Sequence, residues 1–345
     1  MAFNFFTKDM GIDLGTANTL IYIKDQGIVL NEPTVIAVDN RNGNVVATGA
    51  PAKEMIGKAP AVLSVVRPLK DGVISDFDMT AEMLKQFITR AVNEKKLSLR
   101  VVVGVPSGVT EVEKRAVEEV VRQMGAKEVY ILDEPMAAAI GAGLDVDSSS
   151  ASMVADIGGG TSDIAIVALG GIVTSTSLRY AGDRFNDAVL QYMRKKYGLL
   201  IGEKTAENLK IEIGCAIVDK DEKGKPILET AHASGRDAVS GLPKTIEVTN
   251  QDMEEALRES MDMVVDAIKG TIEKAPPEVA ADIAEHGMVL SGGGGLIKNL
   301  DKLIEQKTGM EVSVAENAFE AVALGTGKSL EDVEKLKLYA KAKYR

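Results

Sequence analysis

Residues 12–22 read Ile12-Asp13-Leu14-Gly15-Thr16-Ala17-Asn18-Thr19-Leu20-Ile21-Tyr22, and residues 156–166 read Asp156-Ile157-Gly158-Gly159-Gly160-Thr161-Ser162-Asp163-Ile164-Ala165-Ile166. Each stretch places an aspartate at the end of an apolar strand, then a turn of small residues, then a second apolar strand. That order is a hairpin signal, and two copies of it suggest a duplicated chain. A second set of matches holds at one fixed offset. Gly125, Gly141 and Gly143 correspond to Gly309, Gly325 and Gly327, each 184 residues later, and Ser107-Gly108 corresponds to Ser291-Gly292. The hairpin aspartates are only 143 residues apart, so the second half carries 41 additional residues after its hairpin, in the charged stretch around 183–250.

Between these landmarks both copies read as strand, turn, amphipathic helix, glycine, strand and alanine-rich helix. Thr110 and Glu113 have capping-box spacing at the start of a helix over 110–124, and Gly125 closes it. Met83, Leu84, Phe87, Ile88 and Ala91 recur at helical spacing over 79–92. Asn250 is the expected cap of a helix running to about Lys274 and stopped by Pro276-Pro277. Helix–strand alternation in two similar halves predicts an α/β fold with a cleft between them.

Composition sets outer limits. The 345 residues, 45% apolar and 26% charged, suffice for two domains with cores of their own. A net charge of −11 argues against a general nucleic-acid binder. The single cysteine, Cys215, cannot form an intramolecular disulfide and reads as a small buried residue, which fits a reducing compartment. No apolar run reaches the ~18–20 residues needed to span a bilayer, and the N-terminus lacks the order of a signal peptide, so a cytoplasmic protein is expected.

Small-residue turns expose backbone N–H groups and suit phosphate. Two of them facing each other across a cleft would clamp a polyphosphate, and Asp13 and Asp156 would hold Mg2+ through water. Gly292, Gly293, Gly294 and Gly295 follow an expected strand over 287–290 and precede an expected helix over 297–306. They fit either a strand-to-helix turn or the close approach of a flat ligand. Gly325-Thr326-Gly327-Lys328-Ser329 resembles the tail of a Walker A loop, but Val322 stands where that motif needs its first glycine. Glu134 precedes an expected helix over 136–143, and its counterpart at the 184-residue offset is Ala318. A carboxylate present in one half alone fits a single catalytic group, with Glu134 positioning or deprotonating the water that attacks a γ-phosphate and Thr161 bonding the same water. An acidic helix start favoured by the dipole is the plainer alternative. His232 and His286 suggest no metal site.

These segments resemble the actin–chaperone–sugar kinase superfamily, and most closely its MreB branch of bacterial actins. The resemblance rests on residues 12–22, on Asp133-Glu134-Pro135-Met136-Ala137-Ala138-Ala139-Ile140-Gly141-Ala142-Gly143, on residues 156–161, and on Gly182-Asp183, residues 201–207 and the Gly292–Gly295 run. It implies an α/β, duplicated actin-like (ribonuclease H-like) fold of two lobes, each of two subdomains, around a nucleotide cleft. The implied subdomains are a first core of 1–32, 76–145 and about 318–345, an insertion of 33–75, a second core of 146–182 and 251–317, and an insertion of 183–250. It further implies that Thr16, Ala17 and Asn18 face Gly158, Gly159, Gly160 and Thr161 across the β- and γ-phosphates of ATP. Glu207 and Lys210 would contact ribose or adenine, although an i, i+3 surface ion pair fits their spacing equally. Gly292–Gly295 would lie against the base and α-phosphate, and Glu134 would be hydrolytic.

The same resemblance implies a Mg-ATP hydrolase that polymerises with itself into double protofilaments on the inner face of the cytoplasmic membrane. There it would work with cell-wall synthesis proteins to set cell shape. A chaperone-type ATPase, a small-molecule kinase and a paralogue used in motility are the alternatives. For the membrane contact, Phe3, Phe5 and Phe6 offer a short apolar start that a filament would multiply by avidity. Leu97 and Leu99, beside Lys95, Lys96 and Arg100, offer an apolar loop, against the plainer alternative of a helix-to-strand connection.

Overall fold

The computed structural model of the chain describes residues 7–92 and 98–336. Two five-stranded sheets form its frame. The first runs in the order Gly27–Pro33, Asn18–Ile23, Thr7–Leu14, Ser98–Val105, Ala126–Asp133; the second in the order Gly171–Leu178, Ser162–Ala168, Ser152–Ile157, Met288–Ser291, Val312–Val314. In both, the first three strands in chain order form an antiparallel meander, and the last two run parallel to the first strand. The same topology therefore occurs twice, as the repeated landmarks require. The actin-like α/β fold is the observed one.

Local chemistry accounts for the helices. Thr110 and Glu113 form the capping box of helix Glu111–Gln123, with the Thr110 N–H donating to Glu113 at 2.6 Å. Gly125 follows at a φ of +95°, a conformation that stops a helix. Helix Asn250–Glu273 starts differently from expectation. Thr249 is its cap and exchanges hydrogen bonds with Asp252, while Asn250 turns inward and bonds Ile227 and Glu229. Thr249 holds the required extended backbone, so the shorter side chain takes the cap.

Each sheet packs its own core, and a third cluster joins the halves. Helices Glu134–Gly141 and Ala321–Ser329 cross there, with Val102, Leu132, Val154, Ala165 and Val322 buried around them. The two helices are exchanged: Ala321–Ser329 lies along strand Thr7–Leu14 of the first sheet, and Glu134–Gly141 lies on strand Ser152–Ile157 of the second. Smaller sheets flank the frame, one of Ile36–Asp39, Val45–Thr48 and Leu63–Val66, the other of Leu199–Leu200, Thr230–Asp237 and Pro243–Thr249.

One membrane expectation is corrected. Leu99 lies inside strand Ser98–Val105, in register with Lys8 on one side and Ala126 on the other, and is 3% exposed in the first core. A side chain held there cannot reach a lipid surface. Phe3, Phe5, Phe6 and Leu97 lie outside the described residues. Among the described residues, no helix is long and apolar enough to cross a membrane.

Candidate functional site

A cleft of about 480 Å3 opens between the halves, and both hairpin turns line it. Thr34 anchors the first turn. Its hydroxyl donates to the Gly15 carbonyl at 2.7 Å and its N–H to the Ala17 carbonyl at 2.9 Å, which ties those carbonyls away from the cleft. The Thr16 hydroxyl oxygen accepts the Gly72 N–H at 2.9 Å and keeps its own proton for an acceptor in the cleft. The Asn18 side chain donates to Asn31 at 3.1 Å, and Asn18 also lines the cleft.

The second turn is closed by the Gly158 N–H donating to the Thr161 carbonyl. The start of helix Gly182–Tyr197 holds it from behind, Gly182 and Asp183 donating to the carbonyls of Gly158 and Gly159 at 3.0 and 2.8 Å. The two turns touch. A Cβ on Gly160 would stand 2.9 Å from Thr16 Cβ and 3.0 Å from Gly72 N, and one on Gly159 would collide with Ala17. Glycine is needed at these positions because the other half of the chain approaches them.

Carboxyl groups concentrate where the turns meet. Asp13, Glu134 and Asp156 line the cleft, and Asp163 is the cross-strand partner of Asp156. The Asp163 carboxylate also spans the halves, accepting the N–H and the hydroxyl of Ser107, each at 2.9 Å. Burial pushes Asp13 up to about 8, with the charge of Asp156 adding to it. Burial pushes Asp156 up to about 7, against a hydrogen bond from the Ser291 hydroxyl and with Asp163 adding to the rise. Glu134 lies well above the ordinary carboxylate range, first through burial and then through Asp163, Asp13 and Asp156. Buried carboxyls that repel one another are a donor set suited to a divalent cation. Among the described residues, no group of three or more His, Cys, Asp or Glu side chains is arranged to hold a metal ion directly.

Toward the other end, Glu207 and Lys210 both face the cleft from helix Glu203–Ile213. The Lys210 ammonium donates to the Gly182 carbonyl at 3.1 Å, and burial lowers its pKa while Glu207 and Asp183 oppose that. The glycine run is not a turn followed by a helix over 297–306. It is a single helical turn, Gly292–Gly295, followed by helix Leu300–Thr308. Gly292 at φ +78° and Gly294 press on Ile157, and Gly293 faces Phe319. These three line the cleft. Gly295 does not: it faces Leu290 behind them, so it drops out of the ligand-facing set.

The structure adds Gly72, Asp183, Asn186 and Phe319 to the lining. Phe319 directly follows Ala318, the repeat counterpart of Glu134, so the fixed offset could have marked it. Asn186 lies one helical turn beyond Asp183 on the same face. The Walker-like run sits inside helix Ala321–Ser329, where Gly325 meets the Ala137 carbonyl and Gly327 the Tyr22 ring. Cys215 is buried, its thiol pushed up to about 11 chiefly by burial.

Known proteins resemble the chain throughout. The family model described as MreB/Mbl protein matches residues 7–338. The cell shape-determining protein Mbl of Bacillus subtilis is 46% identical over 333 residues, covering 96% of this chain and 98% of its own. The cell shape-determining protein MreB of Escherichia coli is 48% identical over 335 residues, 95% of each chain. The crystal structure of MreB5 of Spiroplasma citri bound to AMPPNP superposes with a TM-score of 0.90 at 35% identity, covering 95% of this chain and 97% of the other.

Proposed function

This chain belongs to the MreB/Mbl family, and from that premise we propose that it is an actin-like cytoskeletal ATPase that polymerises and helps to determine cell shape. The observation that carries the proposal is the pair of turns meeting across one cleft, each opened by an aspartate that lines it. A relative of 35% identity binds AMPPNP, which supports a nucleotide as the occupant.

Thr16, Ala17 and Asn18 hold the β- and γ-phosphates from one side, and Gly158, Gly159, Gly160 and Thr161 from the other. Asp13 and Asp156 would hold Mg2+ through water, and the ion would offset phosphate charge. Glu207 and Lys210 contact the sugar or base, and Gly292, Gly293 and Gly294 give the base close backbone approach. Glu134 orients and deprotonates water, and Thr161 fixes the same water by hydrogen bonding. Filaments attach to the inner face of the cytoplasmic membrane through Phe3, Phe5 and Phe6 and organise wall-synthesis proteins.

The test is high-speed sedimentation of purified protein with and without Mg-ATP, with electron microscopy of the pellet. Paired filaments that require nucleotide are expected. A monomer that hydrolyses ATP and stays in the supernatant, with lipid present or absent, would overturn the cytoskeletal function.

A further inference from the structure

The segment 33–75 and the segment that begins at Asp183 belong to opposite halves, yet they meet across the mouth of the cleft through ion pairs. Lys53 reaches Glu207 at 2.8 Å, Lys204 reaches Glu54 at 2.5 Å, and Arg67 reaches Asp183 at 3.3 Å and Glu203 at 3.4 Å. One exposed ion pair is worth little. Here four converge over one opening, and Lys53 and Glu207 are only 28% and 22% exposed. Both signs occur on both edges: Lys53, Arg67 and Glu54 on the first half meet Glu207, Asp183, Glu203 and Lys204 on the second. Each charge faces its opposite in this closed arrangement, which favours it over arrangements that bring like charges together.

Glu207 takes part in both systems. It lines the cleft with Lys210 and is held from the far side by Lys53, which does not line the cleft. We propose that these pairs form an ionic latch over the cleft, in which Lys53 positions Glu207 and the outer pairs set the rate at which nucleotide leaves. The latch rests on the nucleotide function proposed above. Opening the mouth breaks every pair, whereas neither Glu54 nor Lys204 lines the cleft, so exit is controlled from residues outside it.

Release of radiolabelled ATP from the full-length chain, chased with excess unlabelled Mg-ATP below the assembly concentration, tests this. Glu54→Lys and Lys204→Glu should each release nucleotide about two- to fivefold faster, the range expected for one exposed pair. The double exchange Glu54→Lys with Lys204→Glu should return the rate toward wild type, which a general loss of structure would not do. Lys53→Ala should speed release more and Lys53→Arg should restore it. Binding by wild type with release unchanged in both single variants would overturn the latch and leave the nucleotide function standing. Absence of binding by the wild-type chain would overturn that function, and the latch with it.

Discussion

Gly141 and Gly325 stand at equivalent points of the two halves, and each is pressed against a backbone carbonyl of the other's helix: Gly141 against Ala321, Gly325 against Ala137. Ala137 and Ala321 are themselves 184 residues apart, so the contact is reciprocal. A Cβ on either glycine would overlap a backbone atom that cannot rotate away. Gly141→Ala and Gly325→Ala should each cost about 1–3 kcal/mol, the usual range for overpacking. Thermal melting checks this, and a melting temperature equal to wild type would mean that the helices separate at little cost.

Glu134→Ala should leave nucleotide binding intact, because the turns and glycines that hold the ligand are untouched. Phosphate release should fall by about a hundredfold or more, the usual contribution of a general base. Release at the wild-type rate would remove Glu134 from the chemistry.

Stability should depend on pH in a direction set by the buried aspartates. A carboxyl whose pKa rises on folding contributes stability that is complete below its unfolded value, 3.8 here, and is lost as pH passes the folded value, about 8 for Asp13 and about 7 for Asp156. As pH rises to about 7 both groups, and from there to about 8 Asp13 alone, should therefore weaken the ligand-free protein. Mg2+ favours the ionised forms and should flatten that decline. Denaturant melts across the range with and without Mg2+ decide it; stability that climbs with pH in the absence of metal would contradict the assignment.

Deleting residues 1–6 removes Phe3, Phe5 and Phe6 and stops short of strand Thr7–Leu14. Filaments of the shortened chain should sediment less with anionic liposomes while assembling normally. Equal recovery with lipid would place the membrane contact elsewhere, and not at Leu99, which is buried in the first core.

The duplication was legible because it is written in residues with few substitutes: glycines at close contacts, aspartates at strand ends and serines before turns, all at one spacing. The cleft ends of the hairpins followed from the same pattern, and Thr16, Gly158 and Asp156 line the cavity. Legibility ended where tertiary partners decide. Nothing local distinguishes Gly294, wedged on Ile157, from Gly295, facing Leu290. Leu99 next to Arg100 reads as readily as a loop or a strand until the flanking strands are known. Thr249 and Asn250 are both good caps, and the choice is made by the Thr249–Asp252 capping box together with the inward hydrogen bonds of Asn250. Lys53 and Glu207 lie 154 residues apart with no motif joining them.

The exchanged helices bear on direction. A frame built twice offers a ligand on its axis the same aspartate and the same turn from either side, and so cannot by itself tell one end of that ligand from the other. Besides the helix that carries Glu207 and Lys210 and the glycine run of the second half, the tie is broken at one repeat position, where one helix begins with Glu134 and its twin is entered through Ala318 and Phe319. An acid at one end and an aromatic ring at the other give the cleft a head and a tail. In a nearly symmetric body, Glu134 from one half and Phe319 from the other thus make the two ends of the cleft chemically unlike.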